Sequence, residues 1–331
     1  MQAFQIIAIN RCALAEVADP VPAAGEVRVD LKAAALNHRD LWIKLGQYAG
    51  LTFPCIPGSD GAGVVGAVGA GVDQAWAGKD VIINPAFDWG DNPRTQGAKF
   101  TILGLPRAGT LAHRVVVPVE QLSERPSHLA WPAAAALPLA GLTAWRALVT
   151  RAGCRAGDRV LVTGIGGGVA LFVLQFAVAA GAEVWVTSSS EAKIDRAKAL
   201  GARGGFVYTQ PEWATMAARA GGGFDIICDS AGGEGFNDLI DLAAPGGRIV
   251  FYGATRGNPS ALALRKIFWR QLSLLGTTMG DPADWEAMTA FVSRHRIAPV
   301  VSEVFPLARV DAALALMERG GQFGKIVIEI A

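Results

Sequence analysis

"VLVTGIGGGVALFVLQFAVAA" (residues 160–180) opens on β-type residues, turns through glycines, and continues as a long apolar segment. A bound dinucleotide needs that order: a strand, a turn allowing close backbone approach, and a helix whose N-terminus faces the pyrophosphate. Val160–Thr163 is read as the strand, Gly164, Gly166, Gly167 and Gly168 as the turn, and Val169 as the start of the helix. Ala170 is small enough for close helix–strand packing. The run Val160–Ala182 carries no charge and is long enough to span a bilayer. Its glycine cluster and β-branched start favour strand, turn and buried helix instead. A second stretch, "PGSDGAGVVGAVGAGV" (residues 57–72), matches G-x-G-x-x-G formally at Gly61, Gly63 and Gly66. Prolines precede it and no helix-forming run follows, so it is read as two short strands joined by turns.

From Asp158 onward strands and helices alternate. The expected strands are Arg159–Thr163, Glu183–Thr187, Phe224–Cys228, Arg248–Tyr252 and Leu272–Thr277. The expected helices are Val169–Ala180, Ala192–Leu200 and Gly235–Leu242. Such alternation builds a doubly wound parallel sheet with helices on both faces. Residues 1–125 are instead rich in short β-type segments separated by Gly and Pro, which predicts a mostly β domain. Two helices (Trp285–Arg294, Val310–Arg319) and a strand (Lys325–Ile330) end the chain. The expectation is an α/β protein whose β domain holds residues 1–125 and 284–331, interrupted by a dinucleotide-binding domain at 126–283.

The 331 residues are 51% hydrophobic and carry a net charge of +1 without long runs of one sign. That argues against nucleic-acid or anionic-membrane partners and leaves a small molecule. The four cysteines are scattered, with no C-x-x-C, so neither disulfide framework nor zinc knuckle is indicated. The N-terminus does not read as a signal peptide, and a reducing cytoplasm is the expected location.

NAD sites place an acid about 20 residues beyond the glycine turn, at the tip of the second strand. Here that tip reads Ser188-Ser189-Ser190, with Lys193 just beyond. Hydroxyls and a cation suit a ribose 2′-phosphate, hence NADPH. The alternative is that Ser188-x-x-Glu191 is a capping box for the next helix.

Pro57-Gly-Ser-Asp-Gly-Ala-Gly, Leu137-Pro-Leu-Ala-Gly-Leu-Thr, the 164–170 turn, Phe251-Tyr-Gly-Ala and Gly324-Lys-Ile-Val-Ile together resemble the medium-chain dehydrogenase/reductase superfamily. The resemblance implies a GroES-like catalytic domain interrupted by a Rossmann domain. Where zinc-dependent members carry Cys, His, Glu and Cys, this chain has Asn37, Ser59, Asp60 and Leu139. The stretch matching the structural zinc lobe has no cysteine. The chain is more similar to the zinc-free quinone oxidoreductase branch, with Asn-x-x-Asp at Asn37–Asp40. That likeness implies NADPH held by the serine run (Ser188, Ser189), Lys193 and Tyr208, with no zinc. It places Thr143, Gly253 and Lys325 near the cofactor, although Lys325 reads equally as a surface lysine of a strand. It also implies pairing into a homodimer through the strand at 272–277.

Without a metal to polarise an alcohol, hydride transfer needs an electron-poor acceptor such as a quinone or an α,β-unsaturated carbonyl. Asn37 and Asp40, three apart at a helix start, are the candidate cleft residues. The alternative is a helix cap and a structural carboxylate. Tyr48, one of three tyrosines, is a candidate proton donor or a packing residue. Rival functions are an alcohol dehydrogenase with an altered or absent metal site, and a non-catalytic NADPH-binding protein.

Overall fold

The computed structural model describes residues 1–330. The chain forms two compact units: Met1–Ala140 with the C-terminal segment from Asp281, and Gly141–Gly280.

In the second unit six strands form one parallel sheet. Their order across the sheet is Gly204–Val207, Glu183–Ser188, Arg159–Val162, Phe224–Asp229, Ala243–Phe251, Ser273–Gly276. Numbered along the chain, this order is 3-2-1-4-5-6, the Rossmann arrangement. Val160, Leu161, Val162, Ile226, Ile227 and Cys228 are inaccessible, as strands covered on both faces require. The quoted run divides as expected into strand, turn and a 12-residue helix, Gly168–Ala179. Among the described residues no helix is long and apolar enough to cross a membrane. The strand Gly204–Val207 and the helices Trp213–Gly221 and Leu264–Trp269 are additions to the sequence reading.

The first unit is built on a seven-stranded sheet. Its main path runs Val301–Pro306, Lys325–Glu329, Glu26–Ala35, Asp60–Val68, Asp80–Ile83, Leu122–Glu124, and Arg114–Pro118 pairs beside Glu26–Ala35. The C-terminal strand therefore joins this sheet. The unit boundary lies beyond the expected residue 125, because the helix Trp131–Ala136 packs on the strands Glu26–Ala35 and Asp60–Val68. Alanines at 134–136, fully buried, let that helix lie close to the sheet.

The 57–72 stretch corrects the reading of two short strands: Asp60–Val68 is one strand, paired to Glu26–Ala35 along its length with two register shifts. Its glycines serve close approach rather than turns. A Cβ on Gly63 would stand 2.3 Å from the Asp30 carbonyl oxygen. Backbone on both sides leaves no flexible atom to yield. Gly63→Ala is therefore expected to destabilise the protein by about 3 kcal/mol or to prevent folding, as over-packing does. Urea unfolding measures it, and an unchanged midpoint would refute the close-approach role.

Candidate functional site

In the first unit the strand Glu26–Ala35 leads through Leu36 and Asn37 into the helix His38–Lys44. Asn37 is the N-cap residue, in an extended conformation. Asp40, in the first turn, accepts the Asn37 backbone N–H at 2.8 Å through one oxygen and the Gly58 N–H at 3.0 Å through the other. It is wholly buried. Burial pushes its carboxyl above the ordinary range, against the opposing pull of the Arg39 guanidinium and the two backbone donors. Asp40 thus ties the helix start to the 58 turn, as the structural alternative of the two readings expects.

The Asn37 side chain belongs to a different cluster. Its Nδ2 donates to Asp60 Oδ2 at 2.9 Å, and its Oδ1 accepts from Lys325 Nζ at 2.6 Å. Lys325 Nζ also donates to Asp60 Oδ2 at 2.8 Å and to the Leu36 carbonyl at 2.7 Å. Asp60 Oδ1 accepts the Leu139 backbone N–H at 2.7 Å. Lys325 is only 4% exposed and Asp60 is wholly enclosed. The surface-lysine reading of Lys325 is therefore corrected. An ammonium has three N–H donors, and all three have acceptors here.

Beneath this cluster lies Arg39, also buried. Its Nη1 donates to Ser59 Oγ at 2.7 Å and to the Leu103 carbonyl at 2.6 Å, and Ser59 Oγ donates to the same carbonyl. Its Nε donates to the Tyr48 hydroxyl at 3.3 Å, with the guanidinium 5.0 Å from the Tyr48 ring centre. Tyr48 packs against the hydrophobic core of the unit. Its hydroxyl accepts from Arg39, so its own proton remains available to donate. Nothing in the local sequence signalled Arg39; its partners lie 20 and 64 residues away.

The four positions that hold zinc ligands in zinc-dependent relatives can be tested here. Tetrahedral zinc takes thiolate, imidazole or carboxylate. Leu139 offers only a backbone N–H, which is spent on Asp60. Ser59 is engaged by Arg39 and Leu103. Asn37 and Asp60 converge on an ammonium. This donor set does not fit a catalytic zinc. Among the described residues no three His, Cys, Asp or Glu side chains cluster as metal ligands would.

The second unit carries the glycine turn at the C-terminal end of its first strand, beside the point where strand order reverses. Ligands of open α/β sheets bind at that point. Gly164 and Gly166 have φ of +62° and +121°, conformations other residues rarely adopt. A Cβ on Gly164 would meet nothing within 4 Å, so the protein itself does not fill the space beside the turn. Gly164 N–H donates to Thr187 Oγ1 at 3.2 Å and Ile165 N–H to the Thr187 carbonyl at 2.8 Å. Gly167 caps the helix without a side-chain partner, so no capping side chain takes up the first helical N–H groups. Asp229 braces the neighbouring loop. It accepts Thr163 Oγ1 at 2.5 Å and the N–H groups of Ala231 and Gly232.

At the tip of the second strand Ser188 is buried, Ser189 is exposed and Lys193 half-buried. The capping-box alternative fails: the cap residue is Ser190, and Ser188 Oγ instead accepts the Ser190 N–H at 3.2 Å. Tyr208 N–H donates to the Ser188 carbonyl at 3.0 Å, which sets Tyr208 beside the serines. Arg256, missed in the sequence, lies 5.1 Å over the Tyr208 ring. Its loop is pinned by Arg256 N–H to the Ala231 carbonyl and Gly233 N–H to the Gly257 carbonyl, both 2.8 Å. Gly253 is close to the Ser230 carbonyl, 2.9 Å from where a Cβ would stand. Thr143 is buried, its Oγ1 3.9 Å from Met279 Sδ.

The thiols are poor nucleophiles. Burial, and for Cys12 the neighbouring Asp311, raises Cys12 to about 11. Burial and Asp158 raise Cys154 to about 11, and Cys228 is fully enclosed and raised further. Since the thiolate is the reactive form, iodoacetamide at pH 8 is expected to label the folded protein at least tenfold more slowly than a free cysteine. Mass spectrometry follows the labelling, and rapid modification of Cys12 or Cys154 would refute the shifts.

Residues 23–127 match the family model for an alcohol dehydrogenase GroES-like domain, and residues 168–294 that for a zinc-binding dehydrogenase. The chain is 38% identical to the zinc-type alcohol dehydrogenase-like protein YogA of Leptosphaeria maculans, over 95% of the chain and 93% of that protein. It is 31% identical to the chloroplast envelope quinone oxidoreductase homolog of Arabidopsis thaliana, over 95% and 92% respectively. A solved structure described as an NAD-dependent alcohol dehydrogenase superposes with a TM-score of 0.95 at 39% identity, over the whole of both chains.

Proposed function

The chain belongs to the medium-chain dehydrogenase/reductase superfamily, and from that premise we propose that it is an NADPH-dependent, zinc-independent reductase of quinones or α,β-unsaturated carbonyls. The observation that carries the reading is the Asn37–Asp60–Lys325 cluster, a hydrogen-bonded ion pair at positions where zinc-dependent relatives hold metal ligands. A chain lacking those ligands favours acceptors that are already electron-poor. Stoichiometric zinc in the purified protein would overturn this in favour of an alcohol dehydrogenase, the activity that names the solved relative.

NADPH, when bound, supplies the hydride. The helix N-terminus at Gly168, with the open turn Gly164–Gly167, holds the pyrophosphate. Ser188, Ser189, Lys193 and Tyr208 receive the 2′-phosphate, with Arg256 above Tyr208 as a second cation. Thr143 and Gly253 line the nicotinamide end of the same unit. In the first unit Tyr48 donates a proton, its hydroxyl aimed by Arg39. The cysteines are free thiols, which suits a reducing cytoplasm. Lys193→Ala and Arg256→Ala are each expected to weaken NADPH about tenfold, about 1.4 kcal/mol, while leaving NADH within about twofold. Fluorescence titration with both cofactors checks this. Equal losses for the two would overturn the 2′-phosphate assignment.

The strand Ser273–Gly276 ends the six-stranded sheet, and beside it in sequence the helix Leu264–Trp269 exposes Leu264, Phe268 and Trp269, the last 81% accessible. A free sheet edge and an apolar helix face together suit a symmetric homodimer. Trp269→Glu with Phe268→Glu is expected to shift a dimeric species to monomer in sedimentation velocity; unchanged sedimentation would refute this interface.

A further inference from the structure

An ammonium gathers two of the four side chains, Asn37 and Asp60, at positions where zinc-dependent relatives hold ligands. Lys325 Nζ spends its three donors on Leu36 O, Asn37 Oδ1 and Asp60 Oδ2 at 2.6–2.8 Å. None remains for a bound molecule, so any influence of Lys325 on chemistry passes through a neighbour.

Asn37 is that neighbour. Its Oδ1 is held by a cation, which the NH2 end of an amide cannot face, so the orientation of the amide is fixed. One Nδ2 hydrogen goes to Asp60 Oδ2 at 2.9 Å. The second has no acceptor among the described residues. Asp60 cannot swing to take it, because its other oxygen holds the Leu139 N–H at 2.7 Å. Burial to 8% exposure keeps the donor largely out of competing water.

We infer that the Lys325–Asp60 pair is a built-in cation site that locks the Asn37 amide so that its free N–H donates to the carbonyl or quinone oxygen of the electron acceptor. This rests on the reductase reading above. When hydride adds to the acceptor carbon, a π electron pair moves onto that oxygen, the reduced acceptor takes a proton from Tyr48, the donor of that reading, which water then reprotonates, and NADPH is left as NADP⁺. A fixed donor aimed at the oxygen becomes stronger as its charge grows. Lys325 is then a positioning residue and Asn37 the contact.

The test compares Asn37→Ala, the paired D60N/K325M, which removes both charges at similar volume, and the triple variant. Reduction of a quinone panel is followed at saturating NADPH, with melting curves as the folding control. Asn37→Ala is expected to lower kcat about a hundredfold, the scale of losing one such donor. D60N/K325M is expected to lower kcat about tenfold, and the triple variant no further than Asn37→Ala alone. Losses that multiply in the triple variant, or an unchanged kcat in D60N/K325M, would overturn the inference. Should D60N/K325M not fold, Lys325→Gln, which keeps a donor without the charge, takes its place.

A second readout needs no activity. In asparagine-labelled protein the Asn37 side-chain amide signal is identified by its loss in Asn37→Ala. Its hydrogen exchange is expected to be slow in the wild type and at least tenfold faster in D60N/K325M or Lys325→Gln. Equal exchange would overturn the lock even if no acceptor is turned over. Failure of the wild type on every acceptor would instead overturn the reductase reading and leave the lock standing.

Discussion

The carboxylate of Asp60 is where distant parts of the first unit are tied together. It joins Lys325, 265 residues away, to the helix start at Asn37 and to the backbone of Leu139. The backbone carbonyl of the same residue accepts the Thr110 hydroxyl at 2.7 Å. Taking both charges out of water is costly, and removing one partner of such a pair costs about 3–5 kcal/mol. The pair also fixes register. Asp60 and Val327 both sit opposite Ala35, on either side of the central strand. A one-residue slip of the C-terminal strand would turn Lys325 to the other face and leave Asp60 buried without its cation. The C-terminal segment therefore does more than complete a sheet.

The two glycine-rich stretches show why a motif is informative only with its context. The 57–72 stretch matches the dinucleotide pattern more neatly, yet its glycines stand where a side chain would strike backbone, as at Gly63 against Asp30. At 164–168 the space beside Gly164 is open and the helix behind it lacks a side-chain cap. In one place glycine admits the protein's own strand; in the other the protein leaves the space beside it open. The flanking residues carried the distinction: prolines before the first stretch, and a strand and an apolar helix around the second.

The parallel-sheet unit was legible because its strands are short continuous apolar runs, each followed by a helical run. The short strand Gly204–Val207 was not, since two of its four residues are glycines and carry no pattern. In the first unit the sheet was visible as a composition, but the extent of the Asp60–Val68 strand was hidden by glycines that read as breakers. The candidate site divides the same way. The glycine turn and the serine tip are local in sequence and could be proposed from it. Arg39 on Ser59, Arg256 on Tyr208, and the burial of Lys325 are contacts made only by folding, and no spacing along the chain encodes them.

The candidate sites of the two units are built by different means. The second uses backbone: glycine conformations, helix N–H groups and a loop braced by Asp229, features tolerant of change in most side chains. The first uses a few buried polar side chains held in fixed hydrogen bonds. A site gathered by a divalent metal and one gathered by an ammonium need the same convergence of strands, helix start and C-terminal segment. The metal offers an open coordination position to its substrate. An ammonium whose three donors are all engaged offers none. Under the inference drawn above, such a site would act through orientation, which is most effective on an acceptor that needs little polarisation to begin with.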